Sequence, residues 1–259
     1  MPLPLFHPDD VIRVHDAVLE YAIRVQEAVA RRTEQRTTNL VAAAALQTLA
    51  HETICLHRAI RDLCVAGWAF GAPILLRSML EAMLSTVVIV NNNRPDVAAF
   101  KYFYAYTKED LSDPSVDTQL AAVQTQANID THMTQMTPED QRLARDYLRA
   151  PRAGHFWYSD QFAGPTVIIR RYSTDEVLDL YGKLSYAAHA GFLGLRMFRD
   201  NPDLLDVKPR RDPRATGFAV VESSRLLAEA TRARSAFERI LDAGYDTVMG
   251  MIRNLRPVE

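Results

Sequence analysis

The feature that most constrains the fold is a long apolar run from Gly71 to Val90, GAPILLRSMLEAMLSTVVIV, whose only ionisable residues are Arg77 and Glu81. Pro73 near its start and the asparagines that follow its end predict that the run forms one helix. A helix that is hydrophobic around most of its circumference belongs in the middle of a bundle. We therefore expect the remaining elements to pack around this helix.

The composition favours helix over sheet. Among 259 residues there are only 10 glycines, whereas alanine, leucine, arginine and glutamate are abundant. The patterns of apolar residues predict an all-α fold, a helical bundle of about seven or eight helices. We expect a single domain, residues 1–259, with a core at 38–198, on which an N-terminal helix (9–35) and a C-terminal helix (216–253) pack.

Charge and cysteine content bear on partners and compartment. The net charge of −2 argues against a protein that coats nucleic acid through bulk electrostatics. Cys55 and Cys64 fall on opposite faces of one predicted helix and cannot form a disulfide with each other, which favours a reducing, cytoplasmic location. The N-terminus has no signal-peptide pattern. Because Arg77 and Glu81 interrupt the longest apolar run, we expect no membrane span.

The segment 150–172, APRAGHFWYSDQFAGPTVIIRRY, differs from the rest of the chain because proline, glycine and aromatic residues cluster in it. We predict an ordered loop, with a short β segment at TVII. His155 and Trp157, with Arg149 nearby, are candidate binding residues, since aromatic rings stack on bases and arginines hold phosphates. The alternative, which we favour, is a loop held on the bundle by its own aromatic side chains.

Arg77 and Glu81 form the first candidate site. The two residues lie one turn apart on the central helix, and ionisable groups in such a position must be paired or hydrogen-bonded. One interpretation is an ion pair that fixes the register of the helices. The other is an arginine that a carboxylate holds in place for an anionic ligand, with Arg77 and Glu81 as candidate catalytic residues.

Tyr181, Ser185 and His189 form a second candidate group, because they recur at one-turn intervals and therefore share one face of a helix. Small residues surround them and allow a backbone or a ligand to come close. Tyr181 and Ser185 are candidate binding residues, and His189 is a candidate general acid–base catalyst. The alternative for His189 is a core histidine with its hydrogen bonds satisfied.

The motifs of metal and nucleotide enzymes are missing from the sequence. His51 and His57 are too far apart along a helix to share a zinc ion, and no Glu-x-x-His pair suits a di-iron bundle. Walker, Rossmann and G-x-S-x-G patterns do not occur. We expect no metal and no cofactor.

Together these motifs resemble a known family. Arg77-x-x-x-Glu81, then His155-Phe156-Trp157, then Tyr181 to His189 are similar to an uncharacterised bacterial family grouped with the HEPN-like helical bundles, over roughly residues 45–195. The resemblance implies an intracellular bundle with a HEPN-like core. Proven HEPN proteins are often dimeric, metal-independent ribonucleases of toxin–antitoxin and phage-defence systems. Their motif, arginine then histidine after four to six residues, matches Arg149 and His155 in count, although Pro151 and Gly154 predict loop there.

Three functions follow as hypotheses. The first, which we favour, is a binding or regulatory bundle without catalytic activity. The second is a metal-independent ribonuclease that acts on RNA as a homodimer. The third is an enzyme that acts on a small organic anion held between Arg77 and His189. The arrangement of the candidate residues in space bears on the choice, because a ligand site needs room and a structural network does not.

Overall fold

A computed structural model describes residues 4–33, 36–105, 116–150, 157–188, 213–240, 242 and 244–258, and in these ranges the fold is all-α, as predicted. The described helices are α1 (Pro8–Thr33), α2 (Leu40–Val65), α3 (Ala72–Val90), α4 (Pro95–Tyr104), α5 (Val116–Thr134), α6 (Pro138–Arg149), α7 (Pro165–Tyr172), α8 (Asp175–Ala188), α9 (Pro213–Phe237) and α10 (Tyr245–Arg253). A short 3-10 turn, Ala69–Gly71, precedes α3. The described ranges contain no strand, only an isolated antiparallel bridge between Phe6 and Pro257.

The central helix of the bundle is α3, as its apolar sequence predicts. It packs against α2 and α9 along its length and also contacts α4, α7 and α8. Its side chains from Met79 to Ile89 are buried with the single exception of Glu81. By length and mean hydropathy (1.7) α3 could also cross a membrane, but 61% of that segment is buried inside the protein. Core helices of globular proteins have the same properties.

The described residues contain ten helices, so the predicted number of seven or eight was wrong. One of the additional helices is α7, which includes the segment TVII that we expected to be β-like. Pro165 occupies the first turn of α7, where its missing N–H costs nothing. Ile168 and Ile169 are fully buried against the bundle, and this tertiary burial outweighs the β propensity of the segment.

The other additional helix arises because the predicted helix 216–253 is divided into α9 and α10. Arg239 has a φ of 51°, in the left-handed region. The N–H of Ile240 donates to the carbonyl of Ser235 (2.9 Å), and the N–H of Arg239 donates to that of Ala236 (3.1 Å). These two bonds form a Schellman motif, which usually has glycine at the left-handed position. An arginine there carries no sequence signal for a helix end.

From the sequence, Gly67 is expected to end the second helix, Thr137 to cap the helix that follows it and Ser173 to cap a helix through a capping box with Glu176. The first two of these boundaries are confirmed and the third was wrong. Gly67 follows α2 with a φ of 87°, and Thr137 caps α6 by accepting from the N–H of Asp140 at 3.2 Å. Ser173, in contrast, is not the N-cap of α8. It is the C-cap residue of α7, and α8 starts only at Asp175. The N–H of Leu178 donates to the carbonyl of Thr174, which is therefore the residue that flanks α8.

Candidate functional site

The packing of α8 on α3 brings four of the predicted site residues together. The Nε–H of Arg77 donates to Oε1 of Glu81 at 2.7 Å. Its Nη1 donates to Oγ of Ser185 at 2.7 Å, and its Nη2 lies 3.4 Å from the hydroxyl of Tyr181. The guanidinium carbon also lies 4.3 Å from the centre of the Tyr181 ring, a cation–π contact. We call these four residues the Arg77 cluster.

The charge of Arg77 is stabilised inside the cluster. The side chain of Arg77 is 16% exposed, whereas that of Glu81 is 49% exposed. Burial by itself lowers the pKa of Arg77, but the hydrogen bonds to Tyr181 and Glu81 outweigh burial and raise that pKa above its usual value. Arg77 is therefore a permanent cation, and Glu81 is the part of the cluster that faces solvent most.

A second carboxylate lies close to the cluster. Burial, together with the negative charge of Glu81, raises the pKa of Glu52 on α2. The positive charge of Arg77 is thus offset by Glu81, and Glu52 places a second acidic group near Glu81. This environment favours a ligand of low charge over a polyanion, because the negative charge of Glu81 would repel each added phosphate.

Trp157 lies inside the bundle and not at its surface. Its side chain is 7% exposed, and its indole N–H donates to Oγ of Ser85 on α3 at 3.2 Å. Tyr102 and Tyr158 contact its ring edge-on. A ring that is buried in this way cannot stack on a base, and the arrangement is that of aromatic side chains that hold their segment on the bundle.

Of the three remaining predicted site residues, the structure describes Arg149 but not His155 or His189. Arg149 is exposed at the last position of α6, and the following residue, Ala150, is extended, so the chain leaves the helix there. His155 and His189 lie outside the described residues. Their roles as binding and catalytic residues remain predictions.

A pair of buried histidines was not predicted from the sequence. His15 on α1 and His57 on α2 stack at 4.2 Å with their rings 13° apart. Nδ1 of His57 lies 3.0 Å from Oγ of Ser223, and that hydroxyl donates to the carbonyl of Val220, so His57 is the donor in the first bond. Burial lowers the pKa of His57 to about 3. One signal was present, since His15 lies on the same face of α1 as Val11 and Val18.

The buried cation Arg234 on α9 was not predicted from the sequence either. Its side chain donates to the amide oxygens of Gln26 and Gln47. Burial lowers its pKa to about 10. Such a residue cannot be identified from the sequence, because its position one turn before the end of α9 is also typical of an exposed arginine.

Nothing in the described part of the chain resembles a metal centre, since no three histidine, cysteine, aspartate or glutamate side chains come together there. Cys55 is exposed and Cys64 is buried, in agreement with their predicted positions on opposite faces of α2. Comparison of the chain with protein-family models, with curated proteins and with solved structures finds no match.

Proposed function

We propose that this protein is a binding module without catalytic activity, and that the Arg77 cluster holds the carboxylate of a small organic acid. The observation that carries the proposal is the state of Arg77. Glu81, Ser185 and Tyr181 fix the guanidinium but use three of its five N–H groups, and no described residue accepts from the other two. An oriented arginine with free N–H groups is a typical carboxylate site.

The charges around Arg77 support a small acid rather than RNA. Glu81 offsets its positive charge, whereas a phosphate backbone is held by several cations. Arg77 itself stays charged and therefore cannot act as a general acid or base near neutral pH. Binding of a carboxylate needs only the residues of the Arg77 cluster, whereas catalysis would need an additional general acid or base.

The test is calorimetric titration with acetate, succinate and citrate at neutral pH. We expect succinate to bind in the millimolar range, and Arg77→Lys to weaken binding at least tenfold, since lysine keeps the charge but loses the planar pair of donors. The matched control is Arg94→Lys. Arg94 is another hydrogen-bonded arginine, held by Glu139 and Asp140, but it lies between α4 and α6.

Two results would contradict the proposal. One is the absence of carboxylate binding, or binding that Arg77→Lys leaves unchanged. The other is cleavage of single-stranded RNA by the purified protein in the presence of a chelator, lost in His155→Ala or His189→Ala. That second result would establish the metal-independent ribonuclease instead.

A further inference from the structure

A second cavity lies far from the Arg77 cluster, between the start of α1, the end of α2 and the start of α9. Its volume is about 180 Å³, and its lining is largely apolar, with Phe6, Val11 and Val220 among the contributing side chains. Four polar side chains, His15, Arg61, Cys64 and Thr216, also line it. The cavity therefore combines an apolar body with a few polar groups, as small-molecule sites do.

Two of these polar side chains carry buried nitrogen atoms that no described residue satisfies. His15 is 2% exposed, and its Nδ1–H donates to Oδ1 of Asp16 at 2.8 Å, so Nε2 carries the lone pair of the neutral ring. Neither this Nε2 nor the Nε–H of Arg61 has a partner in the described part of the chain. A buried polar atom without a hydrogen bond is costly, and proteins rarely keep two of them at one cavity.

The two atoms require complementary chemistry from a ligand. Nε2 of His15 needs a hydrogen-bond donor, and the Nε–H of Arg61 needs an acceptor. A hydroxyl group combines both properties. A carboxylate supplies only acceptors and would leave Nε2 unsatisfied unless His15 became protonated, a change that burial opposes by lowering the pKa of His15.

The size of the cavity defines the rest of the ligand. An apolar protein cavity of about 150 Å³ accommodates benzene. We propose that the cavity between α1, α2 and α9 binds a small neutral phenol, with its ring among the apolar side chains and its hydroxyl at His15 and Arg61. This site is independent of the carboxylate site at Arg77 and takes a different class of ligand.

The experiment compares two probes that differ by one hydroxyl, 4-methylphenol and toluene, with the full-length protein in calorimetric titrations. We expect 4-methylphenol to bind at least tenfold more tightly than toluene. Arg61→Lys removes the Nε–H and should reduce this preference at least threefold. Arg58→Lys, an exposed position on the same helix, should leave the preference unchanged.

A second measurement reports where the probe binds without any substitution. Cys64 lines the cavity and Cys55 is exposed elsewhere on α2, so bound 4-methylphenol should slow alkylation of Cys64 at least threefold and leave that of Cys55 unchanged. Mass spectrometry of the two cysteine peptides gives both rates. Equal affinity for the two probes, or no binding of 4-methylphenol, would overturn the proposal. So would an alkylation rate of Cys64 that saturating 4-methylphenol leaves unchanged.

Discussion

At the residue scale, His57 shows how burial decides the charge of a side chain. The ring is completely buried, stacks on His15 and donates to Ser223. Burial lowers its pKa to about 3, because a charged ring would lose its hydration and gain no counterion. His57 is therefore neutral in the folded protein across the physiological range.

This burial makes stability depend on pH. Because the pKa of His57 is lower in the folded protein than in the unfolded chain, near 6.5, the unfolded chain binds the proton first as the pH falls. The free energy of unfolding should thus be at its full value above pH 6.5. It should fall by about 1.4 kcal/mol per unit as the pH decreases toward 3. Urea denaturation of the wild type and of His57→Gln between pH 7 and 5 measures the difference in slope.

The control for this prediction is His7→Gln, since the side chain of His7 is 61% exposed and its substitution removes a histidine without changing the core. Asp96 and Glu222 have pKa values raised by burial and act in the opposite direction, but equally in every variant. The contribution of His57 is therefore obtained from the difference in slope between the wild type and His57→Gln. Identical slopes for the wild type and His57→Gln would show that His57 does not titrate differently on unfolding.

At the scale of elements, α2 is capped by a residue of another helix. Its own N-cap residue, Asn39, makes no side-chain cap. Instead, Oδ1 of Asp96 on α4 accepts from the N–H of Ala42 at 2.9 Å. Asp96 is 5% exposed. This one carboxylate therefore satisfies a free N–H at the start of α2 and joins α4 to α2. Its negative charge also interacts favourably with the positive end of the α2 dipole.

We expect Asp96→Ala to reduce the free energy of unfolding by about 1–3 kcal/mol, because it leaves a buried N–H without an acceptor. Asp96→Asn keeps an acceptor oxygen and should recover most of the loss. Urea denaturation of both variants at pH 7 gives the comparison. Asp9→Ala, in the exposed first turn of α1, is the control and should change stability much less. Equal losses for alanine and asparagine would exclude the capping role.

At the scale of the whole molecule, α3 is the helix around which the hydrophobic core is built. Leu76, Met79 and Leu80 are fully buried, and the helix contacts α2, α4, α7, α8 and α9. Ile74, in the first turn of the same helix, is 58% exposed. The same helix thus offers an apolar side chain in the core and another at the surface.

Leu80→Ala should reduce the free energy of unfolding by about 2–5 kcal/mol, since it removes transfer free energy and leaves a cavity. Ile74→Ala should change it by about 0.5 kcal/mol or less, because the side chain is mostly in water already. Urea denaturation with a constant m value checks both. A similar loss at the two positions would mean that Ile74 is covered in solution.

Much of this fold follows from local sequence patterns. The apolar run predicts the central helix, Gly67 and Thr137 predict helix ends, and the one-turn spacing of Tyr181 and Ser185 predicts that they share a face. Each of these signals depends on residues close together in the chain, whose relation is set by helix geometry alone. The segment TVII shows where local patterns fail to predict the structure. Its β-branched residues favour a strand, but they are helical in the fold, where two of them are buried.

The sequence by itself therefore determined that the chain is helical, that Arg77 pairs with Glu81 one turn away, and which face of α8 is polar. Only the tertiary structure decided that this face meets Arg77, that Asp96 caps α2 and that His15 stacks on His57. The physical reason is the range of the interactions. Helix periodicity is a property of neighbouring residues, whereas the partner of each face depends on how all the helices share one core.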